Sequence, residues 1–544
     1  MQPAEKIPHS RTRYLIVTVL LAALAVRVLA AMVEPMIQLD ETVYAHMAES
    51  LNRGLGPMEI TGITSVNFMP AYPFFIAALA TVLGNYILAG YCVSITFGVL
   101  VVLLTFVLAR DLAGERVGLM AAALMAAEPL FLDFSARLYS ESTYMFFLLA
   151  AVIFGRYMLQ RGRLACAALG GGALGIAYLL NPVALFYLML FFVLATAVAL
   201  CRQRWVRVIR AMAVFIALFL VFAVPYLVFL HENLDRWAYT GKNPALMYNA
   251  EQGIRSGSPE WDRVMLRITD DGQELFINTF EEYPDPVSRL VHHPVSGLRV
   301  FFQQMKIFYF DKLPLVFPLW LLPFLGVGLF GAALDRQRAA GIGYLLLMMT
   351  PGLLLFNVDS VPRYFLPYVP FAIVMVAIGW ARTADWAAET LERVRGVDAA
   401  ARWGGRLQVL VGVVVIVPLL LFSLTMIASR YYPLVYKEAG LWINQEYGRD
   451  RSIMSREYAA TYYADGHVTS VPYAGYDATY EFAKLKGVEL LVIGEDDIRE
   501  RLPMLKDLLG DAENHPGWRH VRTFEGGEEG MVHVFELVRD RGPG

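Results

Sequence analysis

Long apolar runs recur along the first 430 residues of this sequence, and they constrain its fold more than any other feature. A helix needs roughly 20 apolar residues to cross a bilayer, and a backbone in lipid must satisfy its own hydrogen bonds. Runs of this length predict about 11 transmembrane helices. They cover residues 14–33, 86–109, 115–134, 142–159, 164–180, 182–200, 208–230, 314–334, 339–356, 363–380 and 407–428.

The composition agrees with a polytopic membrane protein that carries some soluble mass. Of the 544 residues, 57% are hydrophobic and 17% are charged, whereas soluble domains have roughly 25% charged residues. The net charge of −3 argues against nucleic acid as a partner, because phosphate binding needs a concentrated basic surface. Cys92, Cys166 and Cys201 lie in or beside apolar runs, so we expect small buried side chains, not disulfides or a metal site.

Basic residues set the predicted orientation, because the positive-inside rule places their clusters in the cytoplasm. The clusters all fall on one side only if the short apolar segment 66–84 does not cross, so we predict a juxtamembrane or re-entrant helix there. The first run is longer than the apolar core of a cleaved signal peptide, so we expect an uncleaved first helix with the N-terminus in the cytoplasm. About 11 crossings then place the C-terminus outside. The clusters lie at residues 110–116, 161–163, 202–210, 336–338 and 382–406.

This orientation brings the unusual polar residues to one outer face. The face collects the loops 34–65 and 231–312, the turns 132–141 and 357–363, and the tail from Ser429 onward. Ionisable groups at a bilayer boundary are costly unless they are solvated, paired or used, so we predict a polar site at the outer leaflet. The polar residues on this face are Asp40, Glu41, Asp133, Arg137, Glu141, His292, His293, Lys306, Asp359 and Arg363.

Two domains are predicted. Residues 1–430 form the transmembrane domain, and the amphipathic, aromatic segment 301–310 is typical of a helix that lies in the membrane interface. Residues 431–544 form a small soluble α/β domain without a P-loop, G-x-G-x-x-G or G-x-S-x-G motif. Its predicted helices cover 434–446 and 496–509, and its predicted strands cover 452–454, 488–493 and 531–537.

The adjacent carboxylates Asp40 and Glu41 follow the first apolar run and have two interpretations. Asp40 can be the N-cap of a helix over 41–52, with Glu41 at the positive end of the helix dipole. Alternatively, Asp40 can face a cleft and take part in chemistry. On a helix Asp40 shares a face with Tyr44, whereas Glu41 points about 100° away. We therefore expect Asp40 to be the primary group and Glu41 to support it.

Asp133, Arg137 and Glu141 are spaced four residues apart, so a helix would place all three on one face. A structural salt bridge that closes the turn is one interpretation. The alternative is that Asp133 or Glu141 pairs with the first loop or with a metal ion.

Arg363 and Tyr364 open a late helix among three prolines. The arginine can extend to lipid headgroups, or it can present its fork of donors to a phosphate. His46, His292 and His293 can ligate a metal ion or be ordinary surface histidines, because no cysteine or carboxylate has matching spacing.

These segments together resemble the GT-C membrane glycosyltransferases. The resemblance covers roughly residues 10–430 and is nearest to family 39, which includes the protein O-mannosyltransferases and the aminoarabinose transferase of lipid A. Its motifs are Leu39-Asp40-Glu41-x-x-Tyr44-Ala45, Met69-Pro70-Ala71-Tyr72-Pro73, Arg137 with Glu141, and Arg363-Tyr364-Phe365-Leu366-Pro367. The expected fold is therefore an α-helical polytopic membrane protein of the GT-C type with a small C-terminal α/β domain.

The resemblance implies a polyprenyl-phosphate sugar donor, inverting transfer to a glycan, lipid or protein acceptor, and Asp40 as the catalytic base. Cationic and phenolic groups would hold the donor phosphate, and a further outer-face set would support the site. The expected location is a bacterial inner membrane, with the C-terminal domain periplasmic. The predicted phosphate-binding residues are Arg363, Tyr364, Lys306 and Arg137. The predicted supporting residues are Asp133, Glu141, Tyr44, His292 and His293.

The sequence departs from the aminoarabinose transferases at residues 67–70, where a lysine- and proline-rich stretch is replaced by Asn67-Phe68-Met69-Pro70. The donor contacts of that family therefore do not carry over at this point. A divalent metal ion is left open as a cofactor. The competing interpretations are a polytopic transporter or lipid flippase, and a non-catalytic assembly subunit that would tolerate substitution of Asp40.

Overall fold

The described residues as far as Ala428 form a bundle of helices. The computed structural model describes residues 9–279, 286–333, 335–358, 360–395, 397–510, 517–527 and 530–538. Asp359, which the sequence places on the outer face, lies outside these residues. The α-helices of the bundle and its loops are His9–Met32, Asp40–Asn52, Ala71–Leu83, Tyr86–Ala113, Glu115–Ala126, Pro129–Ser135, Glu141–Arg161, Leu164–Tyr178, Ala184–Arg202, Trp205–Leu234, Ala245–Gln252, Pro259–Met265, Pro286–His292, Pro294–Ile307, Leu313–Val316, Leu322–Phe330, Arg336–Met349, Val369–Arg395 and Val397–Ala428.

Helices occupy every predicted apolar run, although some of them are broken. Among the described residues, 8 helices are long and apolar enough to cross a membrane, or up to 10 if each bent pair is one span. Helices Glu115–Ala126 and Pro129–Ser135 meet at 63°, and the segments Pro294–Val316 and Leu319–Phe330 meet at 88°. The apolar helix Leu164–Tyr178 is shorter than a full span. The count of about 11 crossings therefore stays a prediction.

Arg27 is a charged residue buried in the first helix, and it lies beside one of these breaks. Glu128 has extended backbone before Pro129, so the helix cannot continue past Ala126. Arg27 Nη1 donates to the carbonyl of Ala126 at 3.3 Å, and its Nε donates to Ser135 Oγ at 2.7 Å. The guanidinium thus satisfies a carbonyl near the break, and its charge has a structural role.

The segment 66–84 contains the helix Ala71–Leu83, which begins after Pro70 and ends at Gly84 in the left-handed region at φ 68°. Its 13 residues are roughly 20 Å long, which is too short to cross about 30 Å of hydrocarbon. This length agrees with the predicted juxtamembrane or re-entrant helix, whose position in the membrane stays a prediction.

The predicted long loop 231–312 is built largely from short helices. Its last long helix, Pro294–Ile307, exposes Val295, Leu298 and Phe302 along one side. This apolar stripe follows the i, i+3, i+4 spacing of an amphipathic helix. The placement of the helix in the membrane interface stays a prediction.

The three cysteines are free, as predicted, but the expected burial is wrong. Cys92 and Cys166 are half-buried and Cys201 is exposed.

A mixed five-stranded sheet forms the centre of the C-terminal domain, together with helices Leu434–Tyr447, Tyr458–Tyr463 and Tyr476–Leu485. The sheet order is β2-β1-β3-β5-β4; β1 is parallel to β2 and β3, and β5 is antiparallel to β3 and β4. The strands are β1 Ser452–Ser455, β2 His467–Thr469, β3 Leu490–Gly494, β4 Trp518–Glu525 and β5 Met531–Leu537.

Strands β1, β3 and β5 match the predicted strands, and the small α/β domain is confirmed. Strand β2 has only three residues and β4 is mostly polar, so neither contains the apolar run that predicts a strand. The predicted helix over 496–509 is instead a π-helical turn at Asp497–Arg501 followed by a 3₁₀-helix at Pro503–Leu509. Pro503 lacks the amide hydrogen that a continuous α-helix would use there.

Candidate active site

A cavity of about 190 Å³ opens where the first outer loop, the start of two bundle helices and the segment 240–246 meet. Its wall combines charged and amide groups with apolar side chains, which is the usual composition of a ligand-binding pocket. The lining residues are Asp40, Tyr44, Asn67, Phe68, Met69, Ser140, Glu141, Tyr144, Leu180, Asn181, Lys242, Asn243, Leu246, Arg363, Tyr364 and Pro367.

Asp40 faces this cavity from the first turn of helix Asp40–Asn52. The prediction that it is the N-cap is wrong: Leu39 occupies that position, and no side chain caps the helix. The carboxylate of Asp40 instead lies 2.7 Å from Nη2 of Arg363. Both side chains keep part of their surface open, 29% for Asp40 and 23% for Arg363. The pair is therefore accessible to a ligand in the cavity.

Glu141 is the second carboxylate of the cavity and begins helix Glu141–Arg161. Its Oε1 lies 3.9 Å from Nε of Arg363, so the guanidinium lies between two carboxylates. Its Oε2 is buried and has no hydrogen-bond partner among the residues that the structure describes. A buried acceptor without a partner is costly, so this oxygen is available for a donor group in the cavity.

Lys242 lines the cavity as well, and sequence reasoning missed it because nothing in its local sequence distinguishes it. Its neighbours fix its position: the N–H of Asn243 donates to Asn67 Oδ1 at 3.0 Å, and a Cβ on Gly241 would lie 2.2 Å from the carbonyl of Val66. Only glycine permits this approach. Lys242 is exposed, so its ammonium group is accessible to a ligand in the cavity.

Tyr44 and Tyr364 are aromatic walls of the same cavity. The hydroxyl of Tyr44 lies 3.3 Å from Ser140 Oγ, and its ring packs edge-on against Phe68 and Tyr72. Burial, and then the charge of Asp40, raise the pKa of Tyr44 above its ordinary value. Tyr44 is therefore a neutral wall residue one helical turn from Asp40, as the helical spacing predicted.

Glu41 does not reach the cavity, contrary to the prediction that it serves the reaction beside Asp40. It is fully buried, and it accepts hydrogen bonds from the backbone N–H groups of Gln38 and Leu138, both at 3.1 Å. Nη2 of Arg137 lies 3.3 Å away. Burial raises the pKa of Glu41, and the charge of Arg137 opposes that shift. Glu41 thus fixes the first loop to the turn that carries Arg137.

Arg137 does not line the cavity, so it is not placed to bind a phosphate there. Its Nε lies 3.0 Å from Glu34 and its Nη2 faces Glu41, and only 13% of the side chain is exposed. Burial, and then the charge of Glu41, raise the pKa of Glu34 to about 7. The predicted role of Arg137 at the donor phosphate is therefore replaced by a structural one.

The substitution Glu41→Gln is expected to lower the free energy of unfolding by about 3 kcal/mol, because it leaves the buried charge of Arg137 poorly compensated. Glu49→Gln on the same helix is the matched control, since Glu49 pairs with Arg53 at the surface, and it should change stability by less than about 0.5 kcal/mol. Thermal and denaturant unfolding in detergent measure both. Unchanged stability of Glu41→Gln together with lost activity would return Glu41 to the reaction.

Asp133, Arg137 and Glu141 do not share a helical face. The helix that holds Asp133 ends at Ser135, and a new helix begins at Glu141. Asp133 pairs instead with Arg430 at 2.7 Å, at the end of the last bundle helix. It therefore anchors the connection to the C-terminal domain and does not support the cavity.

Lys306, His292 and His293 also lie outside the cavity. All three are exposed on the helices Pro286–His292 and Pro294–Ile307 or between them. Nδ1 of His292 lies 2.7 Å from the carbonyl of Ser288. No group of three His, Cys, Asp or Glu side chains that could hold a metal ion occurs in the described part of the chain. A divalent cofactor stays a prediction.

Comparisons with known proteins identify the fold. The structure of ArnT from Cupriavidus metallidurans bound to undecaprenyl phosphate aligns over 97% of this chain and 99% of its own, with a TM-score of 0.57 and 13% identity. The oligosaccharyltransferase AglB from Archaeoglobus fulgidus, in complex with an inhibitory peptide and a dolichol-phosphate, aligns over 98% of this chain and 75% of its own, with a TM-score of 0.57 and 12% identity. The fold is that of the GT-C glycosyltransferases.

The sequence comparisons agree with this fold. Residues 68–229 match the family described as dolichyl-phosphate-mannose-protein mannosyltransferase. No curated protein matches the sequence. The resemblance inferred from the motifs is confirmed, and the chain is a multi-pass membrane protein with a GT-C fold.

Proposed function

We propose that this protein transfers a sugar from a polyprenyl-phosphate-linked donor to a hydroxyl of a glycan, lipid or protein acceptor, with inversion at the anomeric carbon. The observation that carries the proposal is the pairing of Asp40 with Arg363 at the wall of the cavity. Two proteins of the same fold bind undecaprenyl phosphate and a dolichol-phosphate, and these ligands support a lipid-phosphate donor here.

Asp40 would act as the base of a single displacement. The acceptor hydroxyl attacks the anomeric carbon, its proton passes to the carboxylate of Asp40, and the bond from the anomeric carbon to the phosphate oxygen breaks. The bonding electrons leave with the polyprenyl phosphate. A partly buried carboxylate within hydrogen-bond reach of the attacking hydroxyl is the group that this step needs.

Arg363 and Lys242 would bind the donor phosphate and stabilise the charge that grows on it. Guanidinium groups match phosphate geometry, and a lysine ammonium group adds a second positive charge. The hydrogen bond from Asn243 to Asn67 brings Lys242 close to the segment 67–70. That segment contains no lysine. The segment 240–246 thus supplies a cation to this part of the wall.

Glu141 would bind a sugar hydroxyl. Its Oε2 has no protein partner in the described chain, and this oxygen can accept a hydrogen bond from a hydroxyl. Leu180, Leu246 and Pro367 give the same cavity an apolar border, where the first isoprene units of a donor can lie.

The protein would act in a bacterial inner membrane with its cavity and C-terminal domain on the periplasmic side. The distribution of basic residues supports this orientation. A donor whose lipid stays in the bilayer then meets an acceptor from outside at the same surface.

Purified protein incubated with a panel of polyprenyl-phosphate sugars and a membrane extract is expected to release free polyprenyl phosphate and to glycosylate one acceptor class, which mass spectrometry identifies. The same reactions with EDTA test for a divalent ion. Movement of a donor or solute across proteoliposomes without any transfer would replace the proposal with the transporter or flippase interpretation.

A further inference from the structure

The C-terminal domain holds the short segment that leads into Asp40. The N–H of Ile37 donates to the hydroxyl of Tyr463 at 3.0 Å, and Lys437 Nζ donates to the carbonyl of Pro35 at 2.7 Å. Nε2 of Gln38 donates to the carbonyl of Tyr431 at 3.2 Å. Three contacts therefore join residues 35–38 to a domain that begins about 400 residues later in the chain.

Leu39, between this segment and Asp40, has an unusual backbone. Its φ is 48° and its ψ is −125°, a region that side-chain-bearing residues rarely adopt. Such a conformation is unfavourable and persists only where the surrounding contacts determine it. On one side Glu41 and Arg137 fix the loop, and on the other side Tyr463 and Lys437 do so.

A second attachment joins the same domain to the far end of the first loop. The N–H of Val468 donates to the carbonyl of Ile60 at 3.0 Å. A small apolar cluster continues this contact, and it includes Val43 and Met47 on the helix of Asp40 and Phe68 at the cavity wall. The C-terminal domain therefore contacts the first loop both before and after the helix that carries Asp40.

We propose that Tyr463 and Lys437 are positioning residues for Asp40, so that the C-terminal domain completes the active site. Tyr463 anchors the amide of Ile37, Lys437 anchors the carbonyl of Pro35, and together they fix the backbone from which the carboxylate of Asp40 meets Arg363. The ammonium of Lys437 also lies 5.2 Å from the ring centre of Tyr463, so the two anchors support each other. This inference rests on the proposed function, in which Asp40 is the base.

The substitution Tyr463→Phe removes one hydroxyl and leaves the ring packing in place. We expect kcat for sugar transfer to fall at least 10-fold, while the KM for the donor changes less than about twofold, because the cations at the donor phosphate are untouched. Lys437→Met should act in the same direction. Tyr480→Phe is the matched control: its hydroxyl donates to the carbonyl of Val538 at 3.0 Å in the same domain, away from the first loop. It should leave kcat unchanged.

A double variant separates positioning from general weakening of the fold. If Tyr463 acts through Asp40, then Tyr463→Phe should reduce the residual rate of Asp40→Asn no further, whereas independent effects would multiply. Wild-type kcat in both Tyr463→Phe and Lys437→Met would overturn the positioning inference. Wild-type kcat in Asp40→Asn would instead overturn the proposed function, so the two failures are distinguishable. Equal losses in Tyr463→Phe and Tyr480→Phe would also count against positioning.

Discussion

Arg363→Ala is expected to weaken binding of the donor lipid by about 10- to 100-fold, since a hydrogen bond to a charged group is worth roughly 1.5–3 kcal/mol. The guanidinium is the cation that faces both Asp40 and Glu141 in the cavity. Its loss would remove the proposed phosphate ligand and would also leave the carboxylate of Asp40 without its ion-pair partner. Calorimetry or native mass spectrometry of the purified variant with a polyprenyl phosphate measures the loss of donor-lipid affinity.

Arg53→Ala is the matched control, because Arg53 pairs with Glu49 at 2.8 Å on the helix of Asp40 but does not line the cavity. It should bind the donor as the wild type does. Arg363→Lys keeps the charge but loses the fork of donors, so an intermediate affinity is expected. Wild-type donor affinity in Arg363→Ala would place the phosphate site elsewhere, and Lys242 would be the first residue to test.

Local sequence patterns were sufficient for the helices and for much of the C-terminal domain. Apolar runs longer than about 17 residues have few alternatives to a helix in lipid, and every such run is helical here. The breaks at Pro129 and near Pro318 were not predicted as sharp bends, because an apolar run looks the same whether or not the helix changes direction within it.

The residues at the cavity were only partly predictable. Asp40, Glu141, Arg363, Tyr44 and Tyr364 do line it, and they belong to motifs that place charge at helix starts. Lys242 was missed because its significance comes from Gly241 against Val66 and Asn243 against Asn67, contacts that join distant segments. No local pattern encodes such contacts.

Several of the errors concern ion-pair partners. The four-residue spacing predicted that Arg137 shares a helical face with Asp133 and Glu141. The helix ends at Ser135, so this shared face does not form. Arg137 pairs with Glu34 and Glu41 instead. A spacing of four residues predicts a shared face only where the helix continues, and a sequence does not state where a buried arginine will find its carboxylates.

Asp40→Asn gives the most direct test of the central claim, that the carboxylate of Asp40 is the base of sugar transfer. Asparagine keeps the size of the side chain and can still accept a hydrogen bond from Arg363, but it cannot take the acceptor proton. We expect the variant to fold and to bind the donor, and its kcat to fall by about 10²- to 10⁴-fold, the usual contribution of a general base.

The measurement is the transfer rate of purified Asp40→Asn at saturating donor and acceptor, beside the wild type and Glu49→Gln. Glu49→Gln neutralises a carboxylate of the same helix outside the cavity and should retain full activity. A folded Asp40→Asn protein that binds donor lipid normally but transfers little sugar is the predicted result. Transfer by Asp40→Asn at the wild-type rate would contradict the account.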